Sequence, residues 1–215
     1  MPPGEKAAIA LAVAHLRKQF SIPADPDRRG PVPLGRFLEE CNLLHVALPN
    51  LTRVGVYEHL LGEGLTPGDL GDDEALAGFL FVTPSAGFVY ANASDPVPRR
   101  RFTAAHEFGH FILHRALMGG RVSFGDTPDA IREVGDDESR DMERQANRFA
   151  VELLMPAEVC LARAKAFRAA YGVCPPPPFA YQLAAELLVS SEAMRYRLKD
   201  EVLREQLQKW GVADE

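Results

Sequence analysis

The sequence predicts an α+β protein: a small, mostly antiparallel sheet packed against one polar-centred helix, followed by a helical C-terminal subdomain. Three observations lead there. Two short runs rich in β-formers, 78–82 and 88–92, flank turn residues. An apolar helical segment from Thr103 to about Arg115 carries histidines and a glutamate among its apolar residues. Beyond residue 138 the chain reads as successive helices. A length of 215 residues is enough to bury a core without disulfides.

Taken in order, Ile9, Val13, Leu16 and Phe20 recur at helical spacing, so the N-terminal segment reads as an amphipathic helix. A Pro-rich loop (Pro23, Pro26, Pro31, Pro33) follows it. Leu34, Phe37, Leu38 and Cys41 form the buried face of a second helix, and His45 to Leu48 suits a short strand. Residues 62–75, rich in glycine and ending in acids, read as a surface loop. The two β-rich runs then make a hairpin through 83–87, closed by Pro96 and Pro98. Arg99, Arg100 and Arg101 lead into the next helix, for which Thr103 is the expected N-cap. A Gly- and Asp-rich loop spans roughly 119–137, and a helix over 138–154 stops at Pro156. Residues 157–171 are helical in composition, and 174–178 form a proline linker. Helices over 179–188 and 191–203, separated by Val189 and Ser190, complete the chain. The expected domains are therefore 1–174 and a helix-turn-helix-like tail, 179–215.

Composition narrows the function. With 24 basic against 30 acidic residues, the net charge of -6 argues against bulk phosphate neutralisation. Cys41, Cys160 and Cys174 are odd in number and form no CxxC pair, which suits idle thiols in a reducing compartment. Glu5, Lys6, His15, Arg17 and Lys18 interrupt the N-terminal apolar stretch. No signal peptide or membrane partner is expected, and the predicted location is the cytoplasm.

The chemistry concentrates in His106-Glu107-Phe108-Gly109-His110, an HExxH pattern. Residues four apart share one helix face, so both imidazoles can reach one divalent metal. Glu107 then lies beside water held by that metal, placed to act as general base. Apolar flanks (Phe102, Ala104, Ala105, Phe111, Ile112, Leu113) put this helix in a core, where buried polar groups need a reason. Two histidines leave the site open. A third histidine at 116 is absent, since Ala116 stands there, and His114 lies a turn too far and is expected to be a core or capping residue. A carboxylate from a second helix is expected instead, with Glu133, Glu138, Asp141, Glu143 and Glu152 as candidates. Glu143 is distinguished because Ala146, Asn147 and Ala150 continue its face, and the small alanines would let that helix pack closely.

In these blocks, Tyr90-Ala-Asn92 with 101–114 and then 143–156, the chain resembles the ImmA/IrrE metallopeptidases. The resemblance spans roughly residues 77–156. It implies a zincin-like core, metal ligands at His106, His110 and Glu143, and Glu107 as the catalyst. It also implies cleavage of a helix-turn-helix transcriptional repressor in a stress or mobile-element response. The ion implied is Zn2+, with Mn2+ possible. The chain stops at Glu215, so the C-terminal sensor domain of the family's radiation-response members is not expected.

The tail also resembles a helix-turn-helix, and a DNA role would use Arg195, Arg197 and Lys199. Glu192, Asp200, Glu201 and Glu205 oppose it, so sequence-specific DNA binding is not expected. The leading expectation is a metal-dependent endopeptidase acting on a regulatory protein. Its rivals are a DNA-binding regulator with a structural metal and a catalytically silent interaction module.

Overall fold

A computed structural model of the protein describes residues 1–27, 29–68, 70–83, 87–118, 123–126, 137–172 and 176–209. The chain forms two compact units, Leu34–Ala150 and Met1–Pro33 with Val151–Glu215.

The first unit is built on a four-stranded sheet of β1 (Leu43–Leu48), β2 (Gly78–Val82), β3 (Gly87–Asn92) and β4 (Ser123–Asp126), in the order β1-β3-β2-β4. β2 pairs antiparallel with both β3 and β4, whereas β1 joins β3 in parallel. Two of the three pairings are thus antiparallel, and the protein is α+β as expected. β2 and β3 are buried along essentially their whole lengths because both faces of the sheet are covered. That is why Gly78-Phe-Leu-Phe-Val82 reads as a continuous apolar run and not as an alternating one.

One face carries Phe79, Phe81, Phe88 and Tyr90, which pack with Leu51, Val56, Leu60, Leu70 and Leu76. Val56 and Leu60 come from α1 (Arg53–Gly62), capped by Thr52, whose hydroxyl accepts from the Gly55 N–H at 3.1 Å. The helix falls on a stretch for which no element was expected, and the expected loop over 62–75 has no helix or strand among its described residues from 63 to 74 but is tied down. Leu76 N–H donates to the Leu51 carbonyl, and Arg53 donates to the carbonyl of Leu70, which is itself buried. The opposite face receives α2 (Val97–His114), which packs on β2 and β3. This helix starts six residues earlier than expected. Pro98 lies in its first turn, where a missing N–H costs nothing, and Thr103 is buried in its interior, not at its cap. A short helix, α3 (Leu34–Glu40), buries Leu34, Phe37 and Leu38 beside β1.

The second unit is helical: α4 (Pro3–Gln19), α5 (Ala157–Tyr171), α6 (Pro176–Leu187), α7 (Ser191–Leu198) and α8 (Glu201–Lys209). Ile9, Val13 and Leu16 of α4 are buried at the predicted spacing. Pro176 to Pro178, expected in a linker, form the first turn of α6. The helix expected over 191–203 is two helices. The Lys199 and Asp200 N–H groups close α7 onto the carbonyls of Arg195 and Arg197, and the Asp200 carbonyl accepts from Arg204 as α8 begins. Cys41 is half-buried and Cys160 buried, both as free thiols, while Cys174 lies outside the described residues. Burial, its largest cause, pushes the Cys41 thiol up to about 11, which keeps it protonated and unreactive at neutral pH. Among the described residues, no helix is long and apolar enough to cross a membrane.

Candidate metal centre

Every residue from Thr103 to Phe111 on α2 is buried, so the polar ones must be satisfied inside the protein. His106, Glu107, His110 and His114 are each at most 3 % exposed. Their counterpart is α9 (Asp137–Leu154), which begins in the first unit and carries Glu143, Ala146, Asn147 and Ala150 along one face. Gly109 sets the distance between the two helices. A Cβ there would stand 3.1 Å from the Ala146 Cα and carbonyl oxygen and 3.2 Å from the Phe149 Cβ. Ala146 and Phe149 are themselves fully buried, so the approach has no slack.

This approach brings three side chains to one point. His106 Nε2 lies 3.2 Å from one Glu143 carboxylate oxygen, and His110 Nε2 lies 3.2 Å from the other. The two Nε2 atoms are 3.0 Å apart. Burial pushes the Glu143 carboxyl up, but the His106 and His110 imidazoles beside it outweigh burial and hold it well below the usual carboxylate range. Glu143 is therefore an anion throughout the neutral range.

The donor set fits a divalent metal. Two imidazole nitrogens and one carboxylate, with a further position left open, are the ligands of catalytic zinc sites. Ligands about 2.0–2.1 Å from a shared ion in tetrahedral array stand roughly 3.3 Å apart, close to the spacing found here. The outer nitrogens agree. His106 Nδ1 is 3.2 Å from Asn147 Oδ1, an oxygen that can only accept, so the proton sits on Nδ1 and Nε2 offers a lone pair.

Glu107 stands apart from this trio, which comprises His106, His110 and Glu143. Its carboxylate lies against the backbone of β2 at Gly78. A Cβ at Gly78 would come within 2.5 Å of Glu107 Oε1 and 2.4 Å of Thr103 Cγ2. The first glycine of the strand thus makes room for the acid, a role that its place in an apolar run did not announce.

Of the other carboxylate candidates, Asp141 and Glu152 lie elsewhere. Asp141 is half-exposed and pairs with Arg144 one turn along α9. Glu152 belongs to the second unit, where both its oxygens accept from Arg197, at 3.1 and 2.7 Å. Glu133 and the Glu138 side chain lie outside the described residues. His114, expected to be a core residue, is one. Its Nδ1 is 3.1 Å from His110 Nδ1 and its Nε2 is 2.9 Å from Gln145 Oε1. Burial, the largest cause, pushes the His114 ring below its ordinary value, so it is neutral at pH 7.

The basic residues of the tail are partly consumed by the fold. Arg197 is buried between Glu152 and the Met155 carbonyl, and Arg195 stacks on Tyr181 and donates to its hydroxyl. Arg197 is therefore withdrawn from any phosphate-contacting role.

Residues 70–199 match the profile of the family Peptidase_M78, described as the IrrE N-terminal-like domain. The match takes in both motif-bearing helices, α2 and α9. No curated protein matches the sequence.

Proposed function

Starting from a chain that belongs to the Peptidase_M78 family of IrrE N-terminal-like domains, we propose that it is a metal-dependent endopeptidase. It makes site-specific cuts in a regulatory protein, a helix-turn-helix transcriptional repressor, in a cytoplasmic stress or mobile-element response. The observation that carries the chemistry is the convergence of His106, His110 and Glu143 next in sequence to a buried Glu107. The repressor as substrate rests on the likeness to ImmA/IrrE peptidases.

His106, His110 and Glu143 would hold the ion. Zinc suits this donor set best, with manganese the alternative. When bound, the ion supplies Lewis-acid polarisation of the scissile carbonyl and acidifies the attacking water. Glu107 accepts the proton of that water and returns it to the departing amine. Gly78 keeps β2 clear of the Glu107 carboxylate, so the acid can sit beside the strand without displacing it. A silent interaction module would have no use for a buried acid at position 107. A DNA-binding regulator is disfavoured by the burial of Arg197.

The test is co-expression of the full chain with helix-turn-helix repressors from the same genome, beginning with any encoded beside it. Discrete repressor fragments are expected, their formation stopped by a chelator and restored by zinc. Cleavage indifferent to chelation, or no cut repressor under any inducing condition, would overturn the reading.

A further inference from the structure

Gln145 and His114 contribute no atom to the trio, yet they form a continuous chain that ends on it. A neutral imidazole has one N–H and one lone pair, so fixing either nitrogen fixes the other. The Gln145 amide oxygen can only accept, and it lies 2.9 Å from His114 Nε2, which must therefore carry the proton. That leaves a lone pair on His114 Nδ1. His110 Nδ1, 3.1 Å away, must then be the donor. In the neutral ring His110 Nε2 is then the unprotonated nitrogen, and it is the one that faces His106 and Glu143. The opposite tautomer at His114 would set its Nε2 lone pair against the Gln145 oxygen and would leave His110 protonated at Nε2, closed to a metal.

We propose that Gln145 is a positioning residue which, through His114, locks His110 in the tautomer that presents its Nε2 lone pair to the metal centre. Asn147 does the same for His106 in a single step. One helix, α9, thus delivers the anionic donor at Glu143 and, two and four residues on, the two amides that set both imidazoles. The inference rests on reading the trio as a metal centre, but its readout does not require hydrolysis.

The full-length protein is labelled with 15N-histidine, and long-range 1H–15N correlation spectra are recorded with and without zinc. His114 is expected as the Nε2–H tautomer in both forms, with His110 protonated at Nδ1 alone once zinc is bound. A His114 ring protonated at Nδ1, or doubly protonated at pH 7, would overturn the relay, whatever happens to the variants. Two substitutions then separate proton placement from packing. Q145M keeps the length of the side chain and removes the acceptor, so zinc should bind about 10–100-fold more weakly in a chelator competition. Q145E keeps an acceptor in place and should stay within about threefold of wild type. Wild-type affinity in Q145M would overturn the proposal, as would equal losses in both variants, which would mark Gln145 as packing alone. If the wild-type chain takes up no zinc, the metal centre fails as a reading, while the tautomer of His114 still decides the relay.

Discussion

Replacing Glu107 by glutamine is expected to abolish repressor cleavage, lowering its rate on the order of 10²–10⁴-fold with no loss of metal. The two side chains are nearly the same size, and the site tolerates nothing larger. The Glu107 carboxylate already abuts Gly78, and the residue is 1 % exposed. Glutamine therefore fills the same space and keeps hydrogen-bonding capacity but cannot take a proton. Metal content and thermal unfolding should match wild type, and the variant should hold its intact substrate without cutting it. Undiminished cleavage by metal-loaded Glu107→Gln would assign the proton transfer to another group.

Replacing Glu143 by glutamine should act through the opposite route, by removing the ion. The carboxylate spans both imidazoles, one oxygen to each Nε2 at 3.2 Å, and supplies the only negative charge among the trio. A neutral amide leaves two nitrogen donors 3.0 Å apart with nothing to offset the ion's charge. Losses of about 10–100-fold in metal affinity are typical when an outer hydrogen-bond partner is removed, so loss of a ligand should exceed that range. Metal analysis of the protein after desalting checks it. Full occupancy in Glu143→Gln would mean that another carboxylate completes the site.

The two variants fail in ways that cannot be confused. Glu107→Gln keeps its ion and loses turnover, whereas Glu143→Gln loses both, and added zinc in excess should restore part of the second activity alone.

Much of this centre is legible in the sequence, because helices of period 3.6 fix which residues share a face. His106 and His110 follow from spacing, and Glu143 from the alanines that continue its row. What spacing could not supply was the individual side-chain contacts between elements. Gln145 and His114 matter through a contact across 31 residues, and Gly78 through a side chain 29 positions on. A hint was present in His114, one turn beyond His110 on the same buried row. The fold shows the same division. The hairpin is local and its strands appear where the β-formers lie. By contrast, β4 is four residues containing Gly125 and Asp126, made a strand by pairing with β2. The helix over Arg53–Gly62 buries Val56 and Leu60 but exposes Val54, Tyr57 and Leu61, so its apolar residues mark no single stripe. At α2, Pro96 and Pro98 read as stops because proline breaks helix interiors, yet here they begin one.

The central claim is that one divalent ion sits among His106, His110 and Glu143. Anomalous diffraction from crystals of the protein as purified, with data on both sides of the zinc and manganese edges, tests it most directly. The account predicts one strong peak per chain, bonded to Nε2 of both histidines and to the Glu143 carboxylate, appearing at the zinc edge. A peak held by other side chains, or zinc-soaked crystals with no anomalous density at this trio, would contradict it.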